Sequence, residues 1–600
     1  MNLNLLLILF ASAFVSAQTN TYTISFENAV HHEATIQAKF TNLENDTLSL
    51  RMSRTSPGRY ALHEFAKNVY GFKATDSSGK ELTVTRPDPY QWLVSGHDGT
   101  INIQYTLFAN RGDGTYSQVD ETHAHLNIPA TFMYAPSLKD RKIEVDFNVR
   151  EDLGWKVATQ LPLVSGTTYS APNLYYFMDS PVEISNHSVR EFKVGPNNNE
   201  QTIQLVLHHN GSEEELDQYF EQVKSVVIAE EKVYGELPKF DYGRYTFLAC
   251  YIPNASGDGM EHRNSTILTS TTALADGGMK GNIGTVSHEF FHAWNVERLR
   301  PKALEPFDFE EANMSGELWF AEGFTSYYTG LSLCRAGILS ADEYIEGITG
   351  TFNYVWNSPG RQFFNPVEMS YQAPFVDAAT SVDPVNRGNT FISYYSYGSI
   401  LGLALDLSLR ENDLTLDGYM KHMWSTMGKP EKPYTLQNLR EELQVYAGEN
   451  FADQFFNKYI FDSQMPDFRS LLETVAVILE QSKSRPHFGV NLSLNGDGNG
   501  EISSTPKIGS PAYRAELEEG DIITQINGEN FPNGQQFTEF IGGLKIGDQL
   551  NITFERFGIQ KSTQVTLEAD PSYSLYTFEK KGQKPSKKQL KKRENWLWSK

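Results

Sequence analysis

Ser287-His288-Glu289-Phe290-Phe291-His292-Ala293-Trp294 decides how the middle of this 600-residue chain is read. On a helix, residues i and i+4 share one face, so both imidazoles of His-Glu-x-x-His can reach a single Zn²⁺. The apolar neighbours Val286, Phe290, Phe291 and Trp294 suit a helix buried on most sides. A carboxylate beside the metal can take a proton from water, and Glu289 is placed for that task. With 14 His in the chain, such a motif arises by chance about 0.02 times in a sequence of this length. Coincidental histidines on a structural helix are therefore the weaker reading.

Catalytic zinc takes three protein ligands and keeps one position open. Downstream, the run from Glu317 to Tyr328 (ELWFAEGFTSYY) reads as the start of a second buried helix. Glu322 is embedded there among Trp319, Phe320 and Phe324, and a lone charge in such surroundings is costly unless paired or bound to metal. The expected metal set is His288, His292 and Glu322, with one Zn²⁺ per chain and Glu317 as the rival carboxylate. His123 and His125, alternate residues of a β segment, could also chelate, but a satisfied structural role is the expectation for them.

Working outward, the length implies three or four domains. The formal charge of −23 is uneven, since Lys580 to Lys600 holds nine basic residues against one acidic. A body this acidic repels phosphate backbones, so no nucleic-acid partner is expected. Residues 1–17 read as a signal peptide, with an apolar run from Leu5 to Val15 and a cut before Gln18, and so the protein is expected to be exported. A membrane span needs about 20 apolar residues, and none is expected. Cys250 and Cys334 are the two cysteines; a disulfide framework is excluded, and whether these two pair is left open.

Residues 18–208 alternate like antiparallel strands (YTISF, INIQYTLFA, KIEVDFNV, TIQLVLHH) and read as an all-β domain, a sandwich. Residues 209–480 open on a helix with an acidic first turn and read as an α+β, mostly helical catalytic domain. Residues 481–572 form a compact β-rich unit, and 573–600 read as a basic, disordered tail.

Separated blocks carry a family likeness: Ser56-Pro57-Gly58-Arg59-Tyr60, Asp113-Gly114-Thr115-Tyr116, Gly259-Met260-Glu261-His262, SHEFFHAWNVERLRP from Ser287 and WFAEGFTSYY from Trp319. Together they resemble the glycyl aminopeptidases, a PDZ-bearing branch of the zinc peptidases related to thermolysin and aminopeptidase N. The resemblance implies an N-terminal β domain, a thermolysin-like catalytic domain and a C-terminal PDZ domain. It also implies removal of single small residues, Gly or Ala, from peptides with a free N-terminus. Gly259, Met260 and Glu261 would bind substrate, with Glu261 holding the α-ammonium as a shielded carboxylate does well. Tyr395 matches the hydrogen-bond donor to the tetrahedral intermediate. Tyr397 stands where the family has Lys, which leaves Tyr394 and Tyr397 as alternatives. Gly520-Asp521-Ile522-Ile523 resembles a PDZ core whose loop at Arg485 to Val490 could take a peptide C-terminus. Two other readings stand beside the aminopeptidase: a secreted zinc endopeptidase with no need of Glu261, and a non-enzymatic peptide-binding scaffold.

Overall fold

The structure, a computed structural model, describes residues 18–195, 200–377, 383–482, 484–494, 500–530 and 534–598. The expected signal peptide, 1–17, lies outside the described residues. Among them no helix is long and apolar enough to cross a membrane.

Three sheets share one core in the N-terminal domain. The seven-stranded sheet centres on Thr19–Ser25, Glu33–Phe40 and Ile101–Phe108, whose alternate residues Ile24, Ile36 and Tyr105 point into the interior. The three-stranded sheet contributes Leu50 and Trp92, and a four-stranded sheet containing His123–Leu126 and Val182–Ser185 contributes Leu126 and Ile184. Pairing is antiparallel except that Thr19–Ser25 runs parallel to Lys142–Asn148.

The expected boundary at residue 208 is corrected by strand pairing. Ser188–Val194 and Gln201–His209 belong to a separate five-stranded sheet, in the order Ser188–Val194, Gln201–His209, Arg244–Tyr251, Ser265–Ser270, Asp258–His262. Gln201–His209 is parallel to Arg244–Tyr251, and the Glu213–Tyr234 helix makes the crossover. That helix opens with a capping box between Ser212 and Glu215 and closes at Gly235, whose φ of 85° suits glycine. Strand periodicity is identical on both sides of residue 186, so alternation could not reveal which sheet a strand joins.

Helices fill the other half of this domain around one large aromatic core. Two of them, Leu318–Arg335 and Tyr394–Glu411, cross with their backbones in contact. A Cβ on Gly398 would stand 1.9 Å from the Trp319 carbonyl oxygen and 2.7 Å from the Gly323 Cα. Only glycines permit this approach.

The C-terminal region departs furthest from expectation. Val477–Gln481 pairs antiparallel with Tyr573–Thr577, so the PDZ-like unit is inserted between two adjoining strands of the catalytic domain. Tyr573 is anchored through its backbone to Asn353, and the Thr577 hydroxyl donates to Asp342 at 2.8 Å. The tail read as disordered is a helix, Lys587–Leu597, opened by a Ser586 capping box. Its basic face is solvated, but Trp596 is fully buried; the indole donates to the Tyr327 hydroxyl at 2.9 Å, and the Trp596 carbonyl accepts from Arg335. Charge composition hid two adjacent apolar anchors, Trp596 and Leu597.

Candidate active site

Ile283–Phe291 is the HExxH helix, with His288 and Glu289 in its last turn and His292 at its C-cap. His288 Nε2 lies 3.6 Å and His292 Nε2 3.3 Å from the same oxygen, Glu322 Oε2. Ligand bonds of about 2.1 Å give tetrahedral edges of about 3.4 Å, so these atoms stand at the separations of a zinc ligand set. The opposite ring nitrogens fix the tautomers. The Asn295 carbonyl accepts from His292 Nδ1 at 2.6 Å. Thr329 Oγ1 donates to the Thr325 carbonyl at 2.9 Å, which leaves it to accept from His288 Nδ1 at 3.2 Å. Both Nε2 lone pairs therefore face Glu322. Glu322 sits one turn into the Leu318–Arg335 helix, and its other oxygen accepts from the Tyr60 hydroxyl, delivered by the N-terminal domain.

Glu289 is buried, and burial pushes its carboxyl well above the usual range; His292 opposes this and Glu261 adds to it. Its Oε2 is buried with no hydrogen-bond partner among the described residues. An orphaned carboxylate oxygen beside two outward-fixed imidazoles fits a site built for a metal and a water.

The edge strand Asp258–His262 runs along this centre. Gly259 presses on the base: a Cβ there would lie 2.3 Å from Glu289 Oε1 and 2.6 Å from Thr285 Cγ2. Carboxylate oxygens of Glu261 and Glu289 and a ring nitrogen of His292 lie within 4.8 Å of one another. Burial raises the Glu261 carboxyl, with His292 opposing and Glu322 reinforcing. Met260 is turned toward the N-terminal domain, buried against Gly58 and Gly114, so its side chain makes a domain contact. The strand is held from that side by Arg59, whose guanidinium donates to Asp258 and, at 2.6 Å, to Thr115.

The three tyrosines separate. Tyr395 lies with its ring 5.9 Å from that of His288 and is half-buried; Tyr394 is fully buried between Tyr60 and Tyr395. Tyr397 points away, toward Arg361 and Asp462. Glu317 is occupied elsewhere, accepting from Ser315 Oγ at 2.6 Å and the Leu436 amide at 3.1 Å.

Family models match in three places: the peptidase M61 N-terminal domain at residues 21–186, M61 glycyl aminopeptidase at 281–401 and a PDZ domain at 502–556. An aminopeptidase N family protein from Idiomarina loihiensis shares the multidomain fold, with a TM-score of 0.83 at 23% identity over 96% of this chain and 100% of that one. An M1 zinc metallopeptidase mutant from Deinococcus radiodurans, bound to a Tyr-Ser-Ala substrate, gives a TM-score of 0.45 at 10% identity over 75% of this chain and 95% of its own. A probable periplasmic serine endoprotease, DegP-like, from Marinomonas sp. (strain MWYL1) is 32% identical over 74 residues. That match is 12% of this chain, which spans 16% of that relative's length.

The stretch that matches M61 glycyl aminopeptidase, 281–401, contains His288, Glu289, His292, Glu322 and Tyr395, while Glu261 lies in the gap before it. Sequence reasoning quoted Tyr60 and Arg59 only as parts of a block. Their contacts, to Glu322 and Asp258, cross from one domain to the next, and no local spacing encodes that. Asn295 and Thr329 were also missed; each lies within seven residues of a ligand, which was the available signal.

Proposed function

We propose that this chain is an exported zinc aminopeptidase that removes small N-terminal residues, Gly or Ala, from peptides. His288, His292 and Glu322 would hold the metal, which when bound polarises the scissile carbonyl and acidifies a water. Glu289, pushed up by burial, takes the proton from that water and passes it to the leaving amine. Tyr395, half-buried beside His288, donates to the oxyanion. The edge strand Asp258–His262 offers the peptide a backbone to pair with, and Gly259 lets it come close to the base. Export rests on the apolar run at 5–15, and the preference for small residues on the family likeness. A groove of about 1350 Å³ between the PDZ-like unit and the catalytic domain, lined by Phe488, Gly489, Val490 and Ile541, could take a peptide C-terminus.

One observation carries the exopeptidase reading: a second buried carboxylate, Glu261, beside the base, where His292 draws it toward ionisation while burial, Glu322 and Glu289 oppose this. A substrate α-ammonium would pair with Glu261 through a charge-assisted bond of about 1.5–3 kcal/mol. Glu261→Ala should therefore lower kcat/KM on Ala-arylamide about tenfold or more with zinc content unchanged, and wild type should reject N-acetylated substrates. Cleavage of acetylated peptides by wild type, with Glu261→Ala silent, would replace the reading with an endopeptidase.

A further inference from the structure

A second cluster of ligand-bearing side chains lies where the N-terminal domain meets the catalytic sheet. His123 and Glu183 come from neighbouring strands of the four-stranded sheet, and His208 and Cys250 are register partners in the catalytic sheet. All four are buried. Their facing atoms form a closed ring: His123 Nδ1 to Glu183 Oε1 3.4 Å, Glu183 Oε1 to His208 Nδ1 3.6 Å, His208 Nδ1 to Cys250 Sγ 3.3 Å, and Cys250 Sγ to His123 Nδ1 3.5 Å. The remaining diagonals are within 4.8 Å. Zinc bonds of about 2.0–2.1 Å to nitrogen and oxygen and about 2.3 Å to sulfur give tetrahedral edges of about 3.3–3.6 Å. The ring has those edges.

The surroundings prepare these atoms as ligands. Gln118 Nε2 donates to the Asn254 carbonyl at 2.8 Å, which fixes the amide, and its Oε1 can then only accept from His123 Nε2 at 3.0 Å. With a neutral ring, His123 Nδ1 then presents a lone pair to a carboxylate oxygen and a sulfur, an arrangement that a cation between them would complete. Glu183 is steadied through its other oxygen by His125 Nδ1 at 3.2 Å, and His125 is tied in turn to the Asp113 carbonyl.

We propose that His123, Glu183, His208 and Cys250 bind a structural Zn²⁺, distinct from the HExxH centre, that staples the N-terminal domain to the catalytic sheet. Four protein ligands close the tetrahedron and leave no position for substrate, as in structural rather than catalytic sites. One thiolate, one carboxylate and two neutral imidazoles balance a divalent charge, and the thiol, imidazole and carboxylate donors together suit zinc. The staple would hold in register the domain that delivers Arg59 and Tyr60 to the cleft.

The test is metal counting on the full chain, saturated with ZnCl₂ and then desalted. Wild type should hold about two equivalents, Cys250→Ser and His292→Ala about one each, and the double variant none. Reconstitution with Co²⁺ separates the centres, because only this one has sulfur. A near-ultraviolet thiolate-to-cobalt band should persist in His292→Ala and vanish in Cys250→Ser. A wild type that saturates at one equivalent and shows no such band overturns the proposal and leaves a proton-shared ion pair, His123 with Glu183, in its place. Since the decisive measurements are on wild type, a misfolded Cys250 variant does not spare the idea. Loss of arylamidase activity in His292→Ala would bear on the HExxH centre alone.

Discussion

Replacing Gly259 by Ala adds one methyl to the edge strand and tests whether that strand sets the position of the base. Gly259 does not have the left-handed φ that would itself penalise a side chain, so the effect is steric. The new Cβ would stand 2.3 Å from Glu289 Oε1, 2.6 Å from Thr285 Cγ2 and 2.8 Å from Glu289 Cδ. Ordinary contacts are about 3.5 Å, so the carboxylate or the strand must move by about 1 Å. A displacement of that size at a reacting group costs about 10²-fold in rate, and overpacking costs about 1–3 kcal/mol of stability. The expectation is kcat/KM on Ala-arylamide down about a hundredfold, a modest fall in Tm and unchanged zinc, because His288, His292 and Glu322 are not touched. Steady-state kinetics, calorimetry and metal analysis of one preparation decide it. Activity within about threefold of wild type would refute the close approach of strand and base, and loss of zinc would mean that the strand supports the metal set instead.

Glu289→Gln keeps the side-chain volume but cannot accept a proton, so zinc should stay while kcat falls by about 10²–10⁴; near-normal turnover would remove it as the base. Tyr395→Phe should cost about 10²–10³ in kcat, and Tyr397→Phe, facing Arg361 and Asp462, almost nothing; the reverse order would show that the family register slips at the missing Lys. Glu230 is buried beside Ser287 Oγ, 2.7 Å away, and burial holds its carboxyl well above the usual range. An acid raised by folding contributes its full stability below the unfolded pKa of about 4.3 and loses it as pH climbs toward the folded pKa, by about 1.4 kcal/mol per unit. Glu230→Gln cannot ionise, so its Tm should gain on wild type between pH 6 and 8; a constant difference would mean that Glu230 is already charged in the fold.

The metal set was legible because its information is local. Two histidines one turn apart fix their own geometry, and Glu322 stands out as a charge among Trp319, Phe320 and Phe324. Tyr395 needed the family likeness, since three neighbouring tyrosines are chemically equal until a helix face is assigned. What stayed hidden depends on register between distant strands. Nothing in the spacing of His123, Glu183, His208 and Cys250 says that they meet, because they lie on four separate strands that only tertiary pairing brings together. The domain boundary was misplaced for the same reason. The tail reads as disordered because net charge averages over a helix, whereas docking rests on the buried pair Trp596 and Leu597 and on backbone contacts from Gln589 and Arg593.

The insertion of the PDZ-like unit between Val477–Gln481 and Tyr573–Thr577 changes what it means to cut this protein. A stop after residue 480 would not trim an accessory module; it would strip a strand from its partner and leave the Trp596 cavity in the aromatic core open. The excision that respects the architecture removes 482–572 and joins the two strands by a short turn. Synthesis meets the same constraint. The HExxH helix leaves the ribosome some three hundred residues before the strand and indole that complete its domain, so the catalytic core cannot close until the chain is nearly finished.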